Sequence, residues 1–105
     1  MIEKIREAIL RAKASGVRIG ARVFGVVPEN GVYVRNLNRD CVCAIGAVLL
    51  GQSAVTRPSI DAADLLGVTD EDVWDVAFAF DGHAPDSSKG SQAGAALRKE
   101  FLSCE

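Results

Sequence analysis

A chain of 105 residues, 49% hydrophobic, 25% charged and only 6% aromatic, is expected to form one soluble domain around an aliphatic, alanine-rich core, without disulfide or metal staples. No run approaches the roughly 18 apolar residues needed to span a bilayer, and the charged N-terminus lacks the apolar centre of a secretory signal; with an odd number of cysteines, three, this predicts a cytoplasmic protein with reduced thiols and no membrane partner. The net charge of −2 is unevenly placed, because the eight acids from Asp61 to Asp86 have no Lys or Arg among them while residues 1–40 are predominantly basic, an asymmetry that points to a charged, basic protein partner.

Residues 2–14 read as an amphipathic helix. Ile2, Ile5, Ile9 and Ala12 recur at helical spacing with Leu10 beside them, Glu7 and Arg11 form an i,i+4 pair, and Ser15-Gly16 is the stop. The stretch ARVFGVVPENGVYVR reads as a β-hairpin: Val23, Phe24, Val26, Val27, Val32, Tyr33 and Val34 favour strands, and Pro28-Glu29-Asn30-Gly31 supplies the turn. Two strands alone are marginal, so this hairpin must lie on helices or gain a third strand. From Cys41 to Leu50 every residue is apolar or glycine. The stretch is expected to be a fully buried helix capped by Asn38 or Asp40, with a buried strand as the rival reading. Next, Ser59 is expected to cap a short helix that Gly67 ends. Thr69 then caps another, with Asp72 in a capping-box relation, and Gly82 ends it. On that helix Val73, Ala77 and Phe80 share one face, with Trp74 and Phe78 beside them. GHAPDSSKGS is a polar loop, and Ser91 is expected to cap a last helix with Ala93, Ala96, Leu97 and Phe101 on its inner stripe.

Cys41, Cys43, His83 and Cys104 together have the chemistry of a structural zinc set, but Cys-x-Cys on a helix turns its two thiols about 200° apart. No metal and no cofactor is therefore expected. A catalytic thiol at Cys41 or Cys43, with His83 as base, is the enzymatic alternative; burial in so apolar a stretch would raise a thiol pKa and blunt it. The segment SIDAADLLGVTDEDVWDVA looks like a helix-turn-helix. Its second helix begins with Thr69-Asp70-Glu71-Asp72 and continues with Asp75. Carboxylates facing the phosphate backbone oppose DNA binding through it. Asp61, Asp64, Asp70, Glu71 and Asp72 are assigned to first helical turns, where acids offset the helix dipole. Asp70, Glu71 and Asp75 are the candidate docking residues for a basic partner.

The stretches CAIGAVLLG, LLGVTDEDVWDVAFAFDG and GAALRKEF resemble a loose group of small uncharacterised proteins of bacteria, phages and plasmids. Those carry a Cys-x-x-Gly-Ala helix, matched here by Cys43 and Gly46, and an acidic-capped helix after a Leu-Gly turn. The resemblance covers about residues 41–102 and implies a small helical fold of mobile-element origin, with no activity attached. Together these readings predict a single α+β domain, residues 1–105, of about five helices and one β-hairpin. The expected function is non-enzymatic binding or regulation through protein contacts, the alternative being a thiol-dependent enzyme or redox protein.

Overall fold

The computed structural model describes residues 1–102. Helix α1, Ile2–Ala14, buries Ile5, Ile9 and Ala12 of the expected stripe and adds Ala8, whereas Ile2 is half-buried and Leu10, expected beside the stripe, is exposed. Its ion pairs differ from the expected Glu7–Arg11: Arg6 instead bridges Glu3 at 2.8 Å and, at 2.9 Å, Glu100 near the C-terminal end of the chain. Strand β1, Arg18–Ile19, follows. The hairpin consists of β2, Val26–Glu29, antiparallel to β3, Val32–Arg35. Its turn is only Asn30-Gly31, with φ of 52° and 79°, the two-residue geometry whose twist suits a hairpin. Pro28 and Glu29 therefore lie in the strand, and Val23 and Phe24 precede it. A third segment runs along β3. Gly51 donates to the Tyr33 carbonyl at 2.8 Å, and the Tyr33 amide donates to Gln52 at 2.9 Å.

The apolar run from Cys41 divides where one helix was expected. Cys41–Val42 form β4, parallel to β1 in the register Arg18↔Cys41 and Ile19↔Val42. Helix α2 covers only Ala44–Leu49, all six residues buried. Two competing partners account for the split. The strand backbone finds β1, with Gly20 donating to the Val42 carbonyl at 3.0 Å. Cys43 is extended, and its Sγ accepts from the Gly46 amide at 3.4 Å. Cys43, and neither Asn38 nor Asp40, is thus the N-cap. At Gly46 a Cβ would collide with the Phe24 carbonyl oxygen and press on Val42, so the helix lies backbone against backbone on the segment before β2.

Helix α3, Pro58–Leu66, starts one residue before the expected cap: Arg57 is the N-cap, Pro58 takes the first turn, and Ser59 is buried inside it. Proline at this position loses no hydrogen bond and has its φ already set. Asp64 lies past the first turn, so only Asp61 offsets the dipole of α3. Gly67 ends the helix at φ 69°. Helix α4, Asp70–Phe80, has the expected capping box: the Asp72 amide donates to Thr69 Oγ1 at 3.1 Å, and the Thr69 amide donates to Asp72 Oδ2 at 3.3 Å. Helix α5, Lys89–Phe101, is capped by Ser88. Ser91 sits inside it, its Oγ accepting from the Asp86 amide at 2.8 Å. The inner stripe is Gly90, Ala93, Gly94 and Leu97, and Ala96 is exposed.

The register between α4 and α5 sets the rest of the architecture. A Cβ at Gly90 would strike the Asp72 carbonyl oxygen, a Cβ at Gly94 the Val76 carbonyl oxygen, and Arg98 Nη1 donates to the Phe80 carbonyl at 2.8 Å. The contacts climb both helices in the same direction, four residues at a time. Helices α4 and α5 therefore run parallel, and residues 81–88 carry the chain back along α4. Eight residues reach up to about 26 Å when extended, enough to return along a helix of 11 residues, which rises about 16 Å. One core joins α1, α2, α3, α4, α5 and the hairpin, with Tyr33 and Phe80 its largest fully buried side chains. The radius of gyration, 12.4 Å, is that of a single compact domain of about this length. Among the described residues no helix is long and apolar enough to cross a membrane.

Candidate binding surface along helix α4

Helix α4 turns a different chemistry to each side. Val73, Val76, Ala79 and Phe80 enter the core. The side toward α5 carries Asp72 and Asp75, whose neighbour is Gly90. Glu71, Trp74 and Phe78, at i, i+3 and i+7, form the outward ridge. Trp74 is 48% and Phe78 47% exposed. The two rings stack with centroids 5.6 Å apart, and His83, on the returning segment, meets Phe78 edge-on at 5.5 Å. A core-facing position would have hidden these aromatics. Their exposure follows from helical phase, since Trp74 and Phe78 stand opposite Val76 and Phe80.

Of the acids expected to form a docking patch, Glu71 is exposed on the ridge, whereas Asp70 and Asp75 are half-buried. At 100° per residue, Asp70 and Asp75 point roughly 140° apart, so the three carboxylates do not share one face.

Beside the ridge lies a groove of about 380 Å³. Its walls are Phe24, Cys43, Ile45, Val73 and Ala77, with Trp74 shared between groove and ridge. Arg22, Arg57 and Asp81 line it as well. Arg22 adopts φ 63°, a left-handed conformation uncommon outside glycine. It is held there from α4: its amide donates to Asp81 Oδ1 at 2.8 Å and its Nε to the Asp81 carbonyl at 3.2 Å. Arg57 makes no side-chain hydrogen bond or ion pair among the described residues.

The thiols occupy different settings. Cys41 is partly exposed on β4 and Cys43 is buried at the groove wall; both are free. Burial pushes the Cys43 thiol up to about 11, against the smaller downward pull of the Gly46 and Ile45 amides. The negative charge of Asp81 raises it further. His83 lines other hollows, with Gly82, Pro85 and Arg98 on one side and Asp75 and Phe78 on another. The structure brings neither Cys41 nor Cys43 together with His83 in one cavity. Cys104 lies outside the described residues. Among those described, no group of three or more His, Cys, Asp or Glu is arranged to hold a metal ion.

Sequence reasoning missed the most connected polar group. Asp61 is 5% exposed and accepts four donors: the Tyr33 hydroxyl, the Val55 amide at 3.1 Å, and the Thr56 amide and hydroxyl at 3.0 and 2.7 Å. It ties the hairpin and the segment before α3 to α3 itself. A Thr five residues before an Asp is too common a spacing to have signalled it. The groove was equally hidden, because its walls come from four separated segments. Comparison with protein-family models, characterised proteins and solved structures finds no match to this chain.

Proposed function

We propose that this protein is a non-enzymatic binding or regulatory module that engages a basic protein partner through the outward ridge of α4. The supporting observation is the half-exposed Trp74–Phe78 stack beside the exposed carboxylate of Glu71, within a segment, residues 58–88, that contains no Lys or Arg. Aromatic faces attract guanidinium and ammonium groups, and a neighbouring carboxylate strengthens that attraction. The partner surface that fits is an amphipathic helix with Arg or Lys next to apolar anchors. Its aliphatic side chains would cover the rings while its cations meet Glu71. The reading assigns no role to nucleic acid at the acidic start of α4, none to a membrane, and a cytoplasmic setting for the free thiols. It keeps the mobile-element origin implied by the sequence resemblance.

The test uses two synthetic amphipathic helices, one bearing Arg and Leu and the other bearing Glu in place of Arg. Trp74 is the only tryptophan, so its fluorescence reports contact directly, with calorimetry as a second readout. The arginine helix is expected to bind, and Phe78→Ser or Glu71→Lys to weaken it about tenfold, one to two kcal/mol of contact. Equal binding of the two helices, or no binding by either, overturns the reading.

A further inference from the structure

The groove beside the ridge has features the ridge does not use. It is lined almost wholly by carbon, its volume of about 380 Å³ falls within the range of small-molecule sites, and the two arginines at its edge, Arg22 and Arg57, have no carboxylate partner for their terminal nitrogens among the described residues. Asp81, the one acid lining it, has an oxygen and its carbonyl occupied by Arg22. The left-handed backbone of Arg22 is fixed by these same bonds. A conformation of that kind persists when the surroundings hold it, and such residues gather at ligand clamps.

We propose that the groove binds a small amphipathic carboxylate, its apolar chain lying on Phe24, Ile45, Val73 and Ala77 and its carboxylate meeting Arg57 and Arg22. Charge complementarity selects the head group. An uncharged chain of the same length would fill the same apolar walls and leave the terminal nitrogens of both arginines to water. A carboxylate gains charge-assisted hydrogen bonds, which arginine makes in a bidentate fork. Trp74 closes one side, so an occupied groove would alter the ridge ring as well. The site does not depend on the proposed protein partner, since the ridge residues Glu71 and Phe78 do not line it.

The experiment titrates the full chain with decanoate below its micellar range, with decanol and with decylamine, read by Trp74 fluorescence and by calorimetry. Decanoate is expected to bind saturably, and decanol and decylamine at least tenfold more weakly. Arg57→Glu should weaken decanoate at least tenfold. Arg57 is exposed and lends α3 only its backbone, so this variant should melt like the parent. Ala77→Phe, which fills the groove, should abolish binding; where it lowers the melting temperature, Arg57→Glu alone decides. Glu71→Gln, which touches no wall of the groove, should leave decanoate binding unchanged while weakening the arginine helix, which separates failure of this site from failure of the ridge. Equal affinity for decanoate and decanol, no saturable decanoate binding by either readout, or unchanged binding in Arg57→Glu would overturn the proposal.

Discussion

Asp61 and Tyr33 meet in the interior, where the carboxylate accepts from the phenol hydroxyl together with the Val55 and Thr56 donors. The Asp61 carboxyl is held below its ordinary value of 3.8 by the Tyr33 hydroxyl above all, and by the Thr56 and Val55 donors. Burial and the carboxylate push the Tyr33 phenol up to about 12, so the pair stands as phenol and carboxylate through the neutral range. The stability that a depressed carboxylate contributes is present above its unfolded value and is lost as pH falls through the folded one. The protein should therefore weaken below about pH 4, and Asp61→Asn should flatten that limb of a urea-melt series run from pH 2.5 to 6. The raised phenol works in the other direction: its contribution is intact below 10.0 and fades as pH rises toward 12. Removing the hydroxyl by Tyr33→Phe should cost about 1 kcal/mol, because Asp61 keeps its other donors. Cys43 makes a second prediction at this scale. Its thiol, raised by burial, should resist labelling in the folded protein at pH 8 and react only as fast as the protein opens. Cys43→Ser keeps an N-cap acceptor, whereas Cys43→Ala should cost about 0.5 kcal/mol in a thermal melt, the weak end of capping.

At the scale of elements, close backbone approach is the recurring device. Gly46 on Phe24, and Gly90 and Gly94 on α4, leave no room for a side chain. Gly46→Leu should destabilise by about 1–3 kcal/mol or more, and Gly94→Ala should also lower the melting temperature. On an exposed helix face the same Gly→Ala change would raise stability by up to about 1 kcal/mol, so the sign of the shift alone decides the packing. Thr69→Ala should cost about 0.5–2 kcal/mol through the lost capping box. What was legible in the sequence was local. Helix α1 has a periodic stripe, Thr69 and Asp72 stand three residues apart, and Asn30-Gly31 demands positive φ. What was not legible was pairing across the chain. Nothing near Cys41-Val42 announces that Arg18-Ile19 lies beside it, and an unbroken apolar run does not mark where a strand stops and a helix begins. Ser88, rather than Ser91, caps α5: the Ser91 amide donates to the Ser88 hydroxyl while the Ser91 hydroxyl accepts from the Asp86 amide, and neighbouring serines give the sequence no means of choosing among them. Trp74 and Phe78 stand next to Val73 and Ala77 by number, yet one residue is about 100° of helical phase, enough to leave both rings half-exposed.

At the scale of the whole molecule, every helix and the hairpin contribute to one core. Unfolding should be a single cooperative transition, with Trp74 fluorescence and far-ultraviolet circular dichroism giving the same midpoint in urea. Separate midpoints would show that the α4–α5 pair and the hairpin fold as independent units. The same unity explains why the candidate site could not be read from any one motif. Its groove needs the segment before β2, the cap of α2, the start of α3 and the length of α4 together.

The parallel course of α4 and α5 has an electrostatic consequence. Two antiparallel neighbours would cancel each other's field, but here both positive ends, each equivalent to about half an elementary charge, lie side by side, and both negative ends do likewise. Asp70, Glu71 and Asp72 open α4, while the first turn of α5 has no acid of its own. Asp72 and Asp75 adjoin Gly90 in that turn. At the opposite end Arg98 reaches across to the last turn of α4, onto the Phe80 carbonyl. The acidic cluster thus serves two helices at once, and Arg98 answers it as a counterweight. Much of the negative charge that looked free for a partner is already answering the fold's own field, leaving Glu71 as the carboxylate with most to offer outside.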